Sequence, residues 1–145
     1  MTDLKLLALD GEDLEVISAH VQDAVIRVAD MGFARSDKRF AVLMNRFDWT
    51  GATEHRRDKG KRKRTALHFD RVLSVATAGF DPNAQDGVLE LLAITFKPTD
   101  EPAGIVELSF AGGGTVRLSV ECLEARLSDL GAVWAASARP THVLD

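Results

Sequence analysis

The clearest hydrophobic pattern lies late in the chain. Two runs, IVELSF and TVRLSV, alternate apolar and polar residues on either side of Gly112-Gly113-Gly114. Counting outward from the glycines pairs Phe110 with Val116, Leu108 with Leu118 and Val106 with Val120. These apolar residues then share one face, and Glu107, Ser109, Arg117 and Ser119 share the other. Agreement between the alternation and the turn predicts a β-hairpin.

The same reading predicts the other elements. LKLLALD, from Leu4 to Asp10, is a first strand. Asp10 is placed to cap a helix, because its carboxylate can accept from exposed backbone N–H groups, and Glu12, Asp13 and Glu15 suit the positive end of the helix dipole. Leu14, Ile17, Val21 and Ala24 follow at helical spacing, with His20 near their face as a packing residue at the core edge. AVIRVADMGF and RFAVLMNRFDW read as strands around the turn ARSDKR. The second is apolar on both faces as far as Leu43, as expected of a central strand. TALHFDRVLSVATAGF and VLELLAITF are further strands, each followed by a turn cluster. After Val120 the phase changes. Leu123, Leu127 and Leu130 are spaced for a helix that Gly131 would end, so Glu121 to Leu130 is expected to be a short C-terminal helix.

The fold class is therefore α+β: a mostly antiparallel meander of about six or seven strands with one helix near each end, too short in its alternation for βαβ units. That outline would suit a small split barrel of the pleckstrin-homology type, a likeness of fold that carries no function. The 145 residues read as a single domain, 1–145, with a frayed tail from about residue 136.

Composition adds little until charge is placed along the chain. Hydrophobic content is 46% and charged content 28%, ordinary globular values. Cys122 is the single cysteine and excludes an intrachain disulfide. With no evident signal peptide or membrane-length segment, the expectation is a cytoplasmic protein with no membrane insertion. Net charge is −4. Yet Arg56 to Arg64 holds seven bases against Asp58, a net of +6 that leaves −10 on the remainder. Arg56, Arg57, Lys59, Lys61, Arg62, Lys63 and Arg64 are the candidate anion-binding residues. They fall in a connection of roughly fifteen residues, a length that in compact domains is usually functional or disordered. An exposed loop at 51–64 that attracts a polyanion or an acidic protein is one reading; a solvated loop is the other. The loop has no aromatic residue to stack on a base, although Phe47 and Trp49 are close by.

A second candidate comes from strand pairing across that loop. If Trp49 lies opposite Thr65, then Arg46 faces His68 and Met44 faces Asp70. Arg46, Asp48, His68 and Asp70 would then share one sheet face. Such a cluster offers a base, an orienting carboxylate and an anion clamp, as well as a plain surface ion-pair network. Gly112-Gly113-Gly114 lacks the lysine and helix of a phosphate loop and reads as a turn. The four histidines and Cys122 show no metal-ligand spacing, Cys122 reads as a buried thiol, and no catalytic residue or cofactor is indicated.

LLALDGEDLEVISAHVQDAV, RFAVLMNRFDW, LHFDRVLSV and VECLEARLSDLG together resemble an alphaproteobacterial family filed as domain of unknown function 2948. The resemblance covers the chain from about Leu4 to Trp134 and implies a single-domain bacterial protein of cytoplasmic type, with no activity or site residue to carry over. Function is thus expected as a non-catalytic binding or adaptor domain that presents its basic loop to an anionic partner. The alternatives are a small enzyme or metabolite binder using the polar cluster, and a structural domain that forms a homodimer through an exposed sheet edge.

Overall fold

The computed structural model describes residues 3–48 and 62–132. Strand β1 (Lys5–Ala8) leads into helix α1 (Gly11–Val21). Asp10 caps the helix as its sequence position requires: its Oδ1 accepts from the N–H of Asp13 at 2.8 Å. Leu14, Ile17 and Val21 are the helix's buried residues. The stretch expected as one strand after the helix is divided. β2 (Val25–Arg27) and β3 (Met31–Ala34) are separated by a 3₁₀ turn at Val28–Asp30. β4 (Arg39–Phe47) and β5 (Arg62–Phe69) then pair along their length, and β6 (Val72–Ala78) follows a tight turn in which Arg71 takes φ 64°.

β7 (Val88–Pro98), β8 (Gly104–Phe110) and β9 (Thr115–Val120) form a meander, and β10 (Ala125–Ala132) returns to the first half of the molecule. The order across the sheet is β1-β10-β5-β4-β2-β7-β8-β9-β6, with β3 beside β4, and every pairing is antiparallel. β7 joins the two halves. Its first residues pair with β2, and beyond an irregularity between Leu91 and Ala93 it pairs with β8. A bulge at such a point lets a strand bend from one half of a sheet into the other. Both halves and α1 contribute to a single cluster of buried apolar residues.

The expected hairpin of β8 and β9 is present, with Gly112 and Gly113 at φ 89° and 98°, a region open to glycine. Its register differs by two residues from the outward count: Leu108 pairs with Val116 and Val106 with Leu118. A shift of two preserves the faces, so Val106, Leu108, Phe110, Val116, Leu118 and Val120 are all buried together.

Two expectations are corrected. The described residues contain ten strands where about six or seven were expected. The segment expected to be a C-terminal helix is largely strand β10, because it finds backbone partners on both sides, β1 and β5. An isolated helix of that length would be marginal in water, so paired edges decide the outcome. The described residues hold one α-helix, α1. The tail expected to fray from about residue 136 lies outside the described residues, as does most of the basic segment.

Candidate functional site

Three adjacent strands, β10, β5 and β4, carry a ladder of residues on their inner face. Ala125, Phe69 and Phe40 form one rung; Leu127, Leu67 and Val42 form the next. The third rung is Asp129, Thr65 and Met44, and beyond it Lys63 pairs with Arg46. Strand alternation turns all of these residues inward, so the face grades from apolar to charged as it nears the connection between β4 and β5.

At the charged end, Arg46 and Asp129 make a bidentate ion pair. Arg46 Nε donates to Asp129 Oδ1 at 2.8 Å and Nη2 to Oδ2 at 2.6 Å. The two side chains are 2% and 0% exposed. Each has further partners, which a buried charge requires. Thr65 Oγ1 donates to Asp129 Oδ1 at 2.7 Å, the N–H of Leu4 donates to Oδ2 at 2.8 Å, and Arg46 Nη1 donates to the carbonyl of Phe47 at 3.0 Å. Burial pushes the Asp129 carboxyl upward, but the bonds from Arg46, Leu4 and Thr65 outweigh it and hold the group below its ordinary value. The network therefore ties β1, β10, β5 and β4 together in its charged form.

His20, on the last turn of α1, stands at the margin of this network. Its Nδ1 is buried and has no hydrogen-bond partner among the described residues. Burial and then the charge of Arg46 lower its pKa, against weaker upward pulls from Asp129 and Asp48. It is half-buried beside the charged groups Arg46, Asp129 and Asp48.

The structure divides the cluster drawn from the sequence. Arg46 pairs with Lys63 rather than His68, a slip of five residues from the assumed register. An odd slip exchanges faces. Arg46 and Asp48 are consequently buried on the inner side, whereas His68 lies opposite Ala41 on the outer side. Asp70 lies just past β5, where Arg39 Nε donates to its Oδ1 at 2.7 Å. His68 Nδ1 is 3.7 Å from Asp70 Oδ2, too far for a hydrogen bond. Burial lowers the His68 pKa more than Asp70 raises it, so the imidazole is neutral at pH 7 and the contact is not an ion pair there.

Three of the bases assigned to an exposed loop are also reassigned. Arg62, Lys63 and Arg64 are the first residues of β5, and none is fully exposed. The Arg62 guanidinium sits 4.4 Å from the centre of the Phe47 ring. Lys63 is buried, with its Nζ 3.5 Å from Asp3. Arg64 donates to Asp30 and Asn45, each at 3.1 Å. These contacts absorb the charges into the fold. Arg56, Arg57, Lys59 and Lys61 lie outside the described residues.

Asp129 and Thr65 were not singled out from the sequence. The available signal was parity: Ala125, Leu127 and Asp129 alternate as a strand, while the helical spacing of the leucines in the same segment masked it. Elsewhere, an apolar groove of about 540 Å³ runs past the start of α1 and is lined by Leu9, Phe96, Pro98, Cys122 and Leu123 among others. Cys122 is half-buried there rather than enclosed. No group of three or more His, Cys, Asp or Glu among the described residues is arranged to hold a metal ion. No helix of the described residues is long and apolar enough to cross a membrane.

Neither a curated protein nor a solved structure matches the chain. A family described as "protein of unknown function (DUF2948)" matches residues 4–142. With the match spanning all ten strands of the described residues, the chain belongs to the DUF2948 family.

Proposed function

We propose that this protein is a non-catalytic binding domain that presents the connection between β4 and β5 to an anionic partner, in the bacterial cytoplasm expected from the sequence. The observation that supports this reading is the anchoring of the connection. Phe47 pairs with Arg62, and directly beneath them the buried Arg46–Asp129 pair and Thr65 lock the strand ends. Between Trp49 and Lys61 the sequence retains Arg56, Arg57, Lys59 and Lys61 against Glu54 and Asp58. A basic segment held at both ends by a fixed hairpin loses less conformational entropy on binding than a free tail would. The pleckstrin-homology likeness adds nothing to this reading, since the terminal segment on which it leaned is largely a strand.

The test is retention on heparin at low salt. Replacing Arg56, Arg57, Lys59 and Lys61 by Ser abolishes retention and leaves the unfolding midpoint unchanged. Arg62, Lys63 and Arg64 are excluded from that variant because the fold uses them. Failure of the unaltered protein to bind heparin ends the reading.

A further inference from the structure

The outer face of β1, β10, β5 and β4 has a composition that the sequence order conceals. Outward residues, read by alternation, are Lys5 and Leu7 on β1; Arg126, Ser128 and Leu130 on β10; Arg62, Arg64, Ala66 and His68 on β5; and Arg39 through Phe47 at every second position on β4. They include five Lys or Arg residues and no acid. The acids Asp30, Asp37, Asp70 and Glu124 stand at its margins, where Asp30 holds Arg64 and Asp70 holds Arg39. Lys5 and Arg126 are exposed and make no ion pair among the described residues. A chain of net charge −4 thus concentrates positive charge on one sheet face.

That face also bears exposed aliphatic side chains. Leu7, 45% exposed, is the cross-strand neighbour of Arg126, and Leu130, 58% exposed, sits at the bulge of β10. Helix α1 buries its apolar side in the common core; on the outer face Lys5, Leu7, Arg126 and Leu130 are exposed, while the outward positions of β5 and of β4 from Leu43 to Phe47 are half-buried. The occupant has to satisfy cations and isolated leucines together. Nucleic acid would neutralise the cations but calls for aromatic platforms, and the outward aromatic residue, Phe47, already carries Arg62. An anionic bilayer satisfies both, with acidic headgroups for Lys5 and Arg126 and the acyl boundary for Leu7 and Leu130.

We propose that the outer face of β1-β10-β5-β4 is a docking surface for an acidic phospholipid membrane, with the protein lying on the bilayer and not crossing it.

The experiment is co-sedimentation of the full chain with vesicles of phosphatidylcholine alone or with about one-third phosphatidylserine, at low and high salt. Binding to the acidic vesicles that weakens with salt, and none to neutral ones, is expected. Lys5→Gln with Arg126→Gln loses about thirtyfold in affinity, given two surface charges on a bilayer. Leu7→Ser with Leu130→Ser loses about tenfold while retaining salt sensitivity. Both pairs are exposed, and circular dichroism checks that they fold. The variant with Ser at 56, 57, 59 and 61 separates the two proposals. If it alone loses vesicle binding while the face variants bind normally, the face is overturned and the connection stands. If the face variants alone lose binding, the face stands and the membrane is not the partner of the connection. Absence of vesicle binding, or binding of single-stranded RNA in its place, overturns the membrane surface whatever heparin shows.

Discussion

Two arginine–aspartate pairs lie on opposite sides of β4. Arg46 reaches Asp129 with Nε at 2.8 Å, and Arg39 reaches Asp70 with Nε at 2.7 Å. By distance they are equivalents. By surroundings they are not: the first pair is 2% and 0% exposed, the second 52% and 17%. The inner pair has given up water and depends wholly on its partners, whereas the outer pair exchanges one solvated contact for another. Contact length therefore says little about what each pair does for the fold; burial decides it.

The comparison breaks most visibly on truncation. Arg46→Ala or Asp129→Ala leaves the other charge buried and unmatched, and each is expected to cost about 3–5 kcal/mol in urea unfolding. Replacing both together, Arg46→Met with Asp129→Leu, removes the unmatched charge and recovers part of that loss, the remainder being the Leu4 N–H and Thr65 hydroxyl that lose their acceptor. A double variant as unstable as the single ones would show that the network contributes shape, not charge balance. Thr65→Val takes away one charged hydrogen bond but leaves the arginine in place, and should cost about 1.5–3 kcal/mol.

Acidity sharpens the comparison further. His20 beside the inner pair and His68 beside the outer one both have pKa values lowered mainly by burial. The unfolded chain then takes up protons below about pH 6.5 that the native state refuses, so stability is full above that pH and falls as pH drops toward the native values. His20→Gln and His68→Gln should each flatten the slope between neutral pH and pH 5. Asp129 acts in a separate window. Its native pKa is depressed, so its contribution is intact above the ordinary carboxylate range and disappears only in stronger acid. A denaturation midpoint that rises on acidification from pH 7 to pH 5 would reverse this assignment.

Smaller effects close the series. Asp10→Ala removes the helix cap and should cost about 1 kcal/mol. Arg39→Ala, despite a contact as short as that of Arg46, is expected to lose only about 0.2–1 kcal/mol, and less in high salt. A loss comparable to that of Arg46→Ala would mean that exposure is the wrong measure of these pairs.

Local pattern by itself determined much of this protein. The alternation of Val106 to Val120 fixed which residues of the last hairpin are buried, even though the register was off by two, because a strand's faces repeat every second residue. Asp10 was readable as a cap and Leu14, Ile17 and Val21 as a helix face, since both depend on neighbours within a turn. Family membership also followed from sequence. What only the tertiary structure decided were relations across long separations. The pairing of Arg46 with Lys63 spans a connection whose sequence does not specify a register, and an odd slip there divided the expected polar cluster between two faces. The leucines after Val120 satisfy a helical spacing, but β1 and β5 supply backbone partners on either side, and the segment becomes β10. Asp129 acquired its arginine, its threonine and its burial by that choice alone, since no local feature of DLGA specifies what stands across the sheet.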